Sequence, residues 1–420
     1  MFSLTAGLFQ KITGNSKTDQ GNAPPNGSIP QANGHAISSN TNAASAPDLL
    51  LQGTHTPLHT LSTTSFPLLT DPPSPLYHTT PHHIEYICAS PLLSPCGFTP
   101  SDVAATLPQW RARGEEIARN LRFPSTAFSS LDDTQRSRIY QYYLPVYFWV
   151  NSQLTLHRQN PSTQGPLVVG ISAPQGCGKS TLCEQLEALF TSSGLVAASL
   201  SIDDFYLTYE QQQAIKDKYS GNPLLQMRGN AGTHDLELGT RTLRALQGAT
   251  GPTSSVPLPR YNKSAYQGMG DSADPSIWPV VKGKVDIVLF EGWMFGFSAV
   301  DDENAVTAVD PHLTPVNAFL KEYQRAWDSF VDTWLVVRVS DPQYAYQWRL
   351  QAERAMRAAG KPAMTDEQVA QFVDRFMPAY RCYLPGLYKN GPTTAKKGKL
   401  LVVQVDEHRC PVEKQPSPIM

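Results

Sequence analysis

The 420-residue chain has few of the features that mark several protein classes. It carries six cysteines, Cys88, Cys96, Cys177, Cys183, Cys382 and Cys410, scattered without metal-ligand spacing. They suit neither a zinc site nor a disulfide framework, which points to a reducing compartment. No apolar run approaches the ~18 residues that a membrane-spanning helix needs. The net charge is −2 and basic blocks are missing, so electrostatics make no case for a nucleic-acid partner. The expectation is a soluble intracellular protein acting on small molecules, with a monomer favoured and neither membrane nor nucleic acid involved.

Arginine is absent from residues 1–85, and the acids before Glu85 are only Asp19, Asp48 and Asp71. Ten prolines fall between Pro24 and Pro81 among many Ser, Thr and Asn residues. Such a segment buries too little apolar surface to offset the entropy of ordering it, so 1–85 is expected to be disordered. A hydroxylated, acid-poor N-terminus also resembles an organelle transit peptide, with Phe2 to Phe9 as its amphipathic start. The lack of arginine favours a plastid over a mitochondrion; the alternative is a cytoplasmic protein with a solvated tail.

Beyond this segment, Ile139, Tyr143, Val146 and Val150 recur at helical spacing, with Pro145 expected to kink the helix. Tyr140, Tyr142, Tyr147, Phe148 and Trp149 crowd the same stretch and read as packing. Residues 86–160 are therefore expected to form a helical extension on a core domain of 161–408, with 409–420 a flexible tail. Within the core, short apolar runs alternate with helical patterns. The runs are Leu167–Ser172, Val196–Ile202, Asp286–Phe290, Thr333–Val339 and Leu400–Val405. They predict parallel strands covered on both faces, in a three-layer α/β/α fold. One helix is expected to start at Ser340-Asp341-Pro342 and another at Thr365, where Gln368 completes a capping box.

Residues 170–181 read Gly-Ile-Ser-Ala-Pro-Gln-Gly-Cys-Gly-Lys-Ser-Thr, after a predicted strand and before a helix. This is a phosphate-binding loop. Gly176, Cys177 and Gly178 can turn backbone N–H groups onto phosphate oxygens, and the helix that follows presents its positive end. Lys179 can reach the terminal phosphates of ATP, and the Ser180 hydroxyl, beside Thr181, can ligate Mg²⁺. Ala173 departs from the usual pattern, which has glycine there. Cys177, at a helix N-terminus, also suggests a reactive thiol that oxidation could block.

In parallel sheets the chemistry lies at the carboxyl ends of the strands. Two strands end there in acids: Asp203-Asp204-Phe205-Tyr206 and Glu291-Gly292-Trp293. Phosphoryl transfer uses one carboxylate near the metal and one that accepts the attacking hydroxyl's proton. Glu291, with Ser180, suits the metal side, through bound water. Asp203 is the candidate base and Asp204 the second choice, either of which could instead cap a helix. Two loops, Met227 to Asp235 and Pro259 to Tyr266, offer Arg228, His234, Arg260, Tyr261 and Lys263 beside Tyr206 for a small anionic acceptor. A later helix carries Arg349, Arg354 and Arg357. Arg349 is the candidate for neutralising the transferring phosphoryl group, against the plainer reading of a pair with Glu353.

Several stretches together resemble the D-glycerate 3-kinases of plants, algae and fungi. They are Ser-Ala-Pro-Gln-Gly-Cys-Gly-Lys-Ser-Thr, Asp-Asp-Phe-Tyr, Arg-Gly-Asn-Ala-Gly-Thr-His-Asp, Pro-Arg-Tyr-Asn-Lys-Ser-Ala-Tyr, Phe-Glu-Gly-Trp-Met and Phe-Met-Pro-Ala-Tyr. The resemblance spans about Ile139 to Asp406. It implies a P-loop kinase related to uridine kinase, pantothenate kinase and phosphoribulokinase, a family in which alanine also stands at the place of Ala173. The implied reaction converts ATP and D-glycerate to ADP and 3-phosphoglycerate with Mg²⁺. In photosynthetic organisms that is the last photorespiratory step, in the plastid stroma. A same-fold kinase of another small acid or alcohol, or a non-catalytic ATP-binding protein, are the alternatives.

Overall fold

The computed structural model describes residues 80–413. Five strands, β1 Leu167–Ser172, β2 Ala197–Ser201, β3 Ile287–Gly292, β4 Thr333–Val339 and β5 Leu400–Val405, form one sheet in the order 2-3-1-4-5. Every pairing is parallel. The central strands β1, β3 and β4 are buried along their whole length, which accounts for their continuous apolar sequences.

Alternation along the strands divides the interior into two cores, one on each face of the sheet. Leu167, Val169 and Ile171 of β1 join Ile287 and Leu289 of β3 on the first face. There they meet Leu182, Leu186, Leu189 and Phe190 of the helix Lys179–Ser192. Val168, Val288 and Phe290 point the other way. They pack on Leu243 and Leu246 of the helix Leu236–Gln247 and Leu320 of the helix Leu313–Ala326.

The strand β3 starts one residue later and ends two residues later than Asp286–Phe290 predicts, taking in Glu291 and Gly292. Asp286 borders it: its N–H donates to the Val196 carbonyl at 2.9 Å, its carbonyl accepts the Leu167 N–H at 3.0 Å, and its carboxylate accepts the Val196 N–H and the Arg158 guanidinium. The consequence is functional, since register now sets Glu291 beside Ile171 of β1 and Ser201 of β2.

Helices Thr80–Cys88, Pro100–Asn120 and Leu144–Gln159 lie against the first core. The first begins at Thr80, inside the segment expected to be disordered; the rest of that segment, with the transit-peptide reading, lies outside the described residues. Pro145 is accommodated by a π-helical stretch, Ser137–Tyr143, just before it. Proline has no N–H to offer the carbonyl four residues back. That carbonyl, on Gln141, instead accepts the Ser90 hydroxyl at 2.7 Å. Arg113 donates to Ser192 and Ser193 at 2.7 and 2.8 Å, fastening this segment to the end of the phosphate-loop helix.

Two further boundaries differ from expectation. The helix Tyr344–Ala358 starts after Ser340-Asp341-Pro342, because the Asp341 carboxylate accepts the Gln343 N–H and holds a turn first. The capping box of Thr365 and Gln368 does form. Residues 409–413 are not a loose tail: Val412 N–H bonds to Gln404 carbonyl at 2.9 Å, and Arg409 reaches the phosphate loop. Residues 414–420 lie outside the described part.

Asp328 is 2 % exposed, at the foot of β4 beside the buried Trp327. Burial pushes its carboxyl up to about 8, against a backbone hydrogen bond from Gly296. An acid with a raised folded-state pKa favours folding least when deprotonated, so stability is lost as pH climbs from about 4 towards 8. Asp328→Asn should therefore melt above the wild type, by a margin that widens between pH 5 and pH 8. Thermal melts across that range check it.

Candidate active site

The loop between β1 and the helix Lys179–Ser192 sits at the carboxyl end of the sheet. Gly176 and Gly178 have φ values of +80° and +94°, which other residues adopt only with strain. Gly176 is also hemmed in: a Cβ there would lie 2.6 Å from the Trp348 Cβ. Glycine is thus required twice at this position, by conformation and by contact. The Gln175 N–H donates to the Tyr380 hydroxyl at 2.9 Å. Thr181 follows Ser180 in the first turn of the helix.

Ser180, Lys179 and Glu291 come together at the end of β3. Ser180 Oγ donates to Glu291 Oε1 at 2.9 Å, and Lys179 Nζ stands 3.9 Å from Glu291 Oε2. Glu291 is 6 % exposed, and its Oε2 has no hydrogen-bond partner. Burial raises its pKa despite the opposing Lys179 ammonium. Burial alone would lower Lys179, but Glu291 in front of it, together with Asp203 and the neighbouring Cys177 and Cys183, leaves its pKa raised. A buried carboxylate oxygen without a partner, next to a serine hydroxyl, is the hard-oxygen pair that suits Mg²⁺.

On the acceptor side the two aspartates separate. Asp203 accepts Lys263 Nζ at 2.6 Å and the Tyr206 hydroxyl at 2.9 Å. Burial would raise its pKa, yet Lys263 and Lys179 together hold it well below the usual carboxylate range. Asp204 turns back on its own segment, capping the turn Ile202–Phe205 through the Ser201 N–H at 3.0 Å. Burial pushes its carboxyl up to about 6, with Arg260 at 3.4 Å pulling the other way. Asp203 is therefore the more strongly acidic of the two, and Asp204 is the cap.

Other candidates are committed elsewhere. Arg228 donates to the carbonyls of Gly268, Met269 and Lys263 and lies over the rings of Tyr206 and Tyr261, so it braces a loop. Tyr261 in turn donates to the Leu207 carbonyl at 3.2 Å. Arg260 also donates to the Pro259 carbonyl. His234 is buried, stacked on Tyr206, with Nδ1 2.8 Å from the Tyr323 hydroxyl. Burial pushes its pKa down to about 3, so it is a neutral imidazole and no anion-binding cation. Arg349 pairs with the buried Glu353 at 2.5 Å and lies over Phe372. That pair is the plainer of the two readings its sequence allows, and its Nε has no hydrogen-bond partner. Cys177 is 2 % exposed and burial pushes its thiol up, overcoming Lys179. It is a packed residue, not the reactive thiol that the helix N-terminus suggested.

Arg409 had no signal in the sequence. Its backbone has φ +64°, held by a turn in which the Asp406 carboxylate accepts the His408 and Cys410 N–H groups. Its Nε donates to the Gly176 carbonyl at 2.7 Å, and its guanidinium lies 5.0 Å from the Trp348 ring. This bond holds the peptide between Gly176 and Cys177, whose N–H donates to the Pro174 carbonyl at 3.4 Å.

A 2-3-1-4-5 parallel sheet with a phosphate loop after β1 and carboxylates at the ends of β2 and β3 defines a P-loop kinase. No protein-family model matches the chain. The chloroplastic D-glycerate 3-kinase of Arabidopsis thaliana is 45 % identical over 331 residues, 78 % of this chain and 72 % of that one. The D-glycerate 3-kinase structure from Cryptococcus neoformans aligns with a TM-score of 0.59 at 35 % identity, covering 64 % of this chain and 97 % of that one. An uncharacterized kinase of Schizosaccharomyces pombe is 35 % identical over 273 residues, 63 % of this chain and 96 % of its own. The chain belongs to the D-glycerate 3-kinase family.

Removing the Arg409 side chain deletes a charge-assisted hydrogen bond, an interaction of about 1.5–3 kcal/mol. Arg409→Ala should raise KM for ATP roughly tenfold or more on that basis and leave KM for the acceptor unchanged. Steady-state kinetics with each substrate varied in turn test this.

Proposed function

We propose that the protein transfers the γ-phosphoryl group of ATP to the terminal hydroxyl of D-glycerate, giving ADP and 3-phosphoglycerate. The observation that carries this reading is Asp203, an ionised carboxylate fixed by Tyr206 and Lys263 and facing the charge of Lys179. The membership established above supports the choice of acceptor, as do the printed names of the plant and Cryptococcus proteins.

The chain's residues divide the work. The glycine loop and Lys179 hold the phosphates, and Lys179 draws negative charge onto the leaving side. Phosphoryl transfer passes through a loose transition state, so the attacking hydroxyl keeps its proton until late. Asp203 then needs to align the hydroxyl and receive that proton, which suits a carboxylate of low pKa. Ser180 and Glu291 would hold Mg²⁺, Glu291 through bound water. The ion would supply positive charge that neutralises the phosphates. A plastid setting is part of the proposal, supported by the arginine-free N-terminal segment and the chloroplastic relative.

The test is ADP release with MgATP and D-glycerate, L-glycerate, uridine, pantothenate or ribulose 5-phosphate. Release dependent on D-glycerate alone is expected. Turnover of another acceptor, or ATP binding with no turnover, overturns the reading. Asp203→Asn should lower kcat by about 10²–10⁴-fold, the range for loss of a proton acceptor, with ATP binding retained.

A further inference from the structure

The acceptor side holds more cations than its anions need, and most are already occupied. Arg228 is filled by three backbone carbonyls, Arg260 by Asp204 and Pro259, and Lys263 by Asp203. Arg375 differs. It stands between the helices Asp366–Asp374 and Met377–Asn390. Its guanidinium meets the Met227 sulfur and, at 5.2 Å, the face of Phe372. A thioether is a weak acceptor, and neither contact offers negative charge.

The surroundings place this group at the reaction side of the sheet. Asn230, in the acceptor loop, donates to the Arg375 carbonyl at 3.1 Å. The neighbouring Phe376 leaves no room for a Cβ at Gly229 and lies 5.0 Å from Trp293. Trp293, just beyond the β3 end that carries Glu291, donates to the Gly229 carbonyl at 3.2 Å. Burial and the nearby Arg228 both lower the proton affinity of Arg375. Two guanidinium groups sharing a half-buried region repel each other, and a bound anion relieves that cost.

We infer that Arg375 binds the carboxylate of the acceptor, with its planar fork on the two carboxylate oxygens while Asp203 takes the terminal hydroxyl. This rests on the glycerate kinase reading. The chemistry fits the residue, since a guanidinium matches a carboxylate bidentately. Arg375 immediately precedes the Phe376-Met377-Pro378-Ala379-Tyr380 stretch, whose Tyr380 braces the phosphate loop. The same short segment would then set both substrates.

The experiment uses the full chain, wild type and the variants Arg375→Ala and Arg375→Lys, with D-glycerate and with glycerol, which lacks the carboxylate. Arg375→Ala should raise KM for D-glycerate by about 10- to 100-fold, the range for one charged hydrogen-bonding partner. KM for ATP should stay within about twofold, and the preference for D-glycerate over glycerol should fall by the same factor as glycerate binding. Arg375→Lys should recover part of that preference. An unchanged KM for D-glycerate overturns the assignment. So does an equal loss for both acceptors, which would mark Arg375 as a support of the loop. Wild-type turnover of D-glycerate reads the functional proposal separately: its absence overturns that proposal, whereas its presence with an unaltered variant overturns only the role of Arg375.

Discussion

The buried carboxylate of Glu291 is the constraint around which the site is organised. A charge at the end of a fully covered strand is costly unless opposite charge and hydrogen bonds meet it. Here Lys179 faces one oxygen and Ser180 donates to the other. Both partners come from the first turn of the phosphate-loop helix, so the parallel pairing of β3 with β1 fixes the geometry between them. The oxygen that faces Lys179 has no hydrogen-bond partner of its own.

The acceptor side is balanced differently, by pairs rather than by burial of a single charge. Asp203 with Lys263 and Asp204 with Arg260 are neighbouring ion pairs that have opposite fates. The second is turned inward by a capping box and ends as structure. The first faces Lys179 and keeps its carboxylate ionised. A one-residue difference in the direction of a short turn separates a carboxylate paired with lysine from a cap, although the two residues are chemically identical.

Much of this was legible in the sequence where function is local. The strands Leu167–Ser172, Thr333–Val339 and Leu400–Val405 have the ends that their apolar runs give. The phosphate loop and the acids after β2 and β3 are short contiguous signals, and the sheet brings them together. Strand β3 extends past its apolar run into Glu291 and Gly292, so hydropathy alone ends it at Phe290. Arg349 is ambiguous for a related reason. A row of arginines looks the same whether it closes on phosphate or pairs with Glu353 and Asp366. His234 looked like a ligand in a polar loop, and only packing reveals a buried neutral ring.

The groups that no local pattern could reveal all act across long sequence separations on one small loop. Tyr380 receives the Gln175 N–H, Trp348 closes on Gly176, and Arg409 draws the Gly176 carbonyl outward. All three meet the loop at Gln175 and Gly176. Backbone N–H groups gathered to face an anion repel one another, so an untethered loop would relax towards other conformations. Packing and hydrogen bonds from three distant segments resist that relaxation before ATP arrives. The cradle is thereby preorganised, and binding energy need not be used to assemble it.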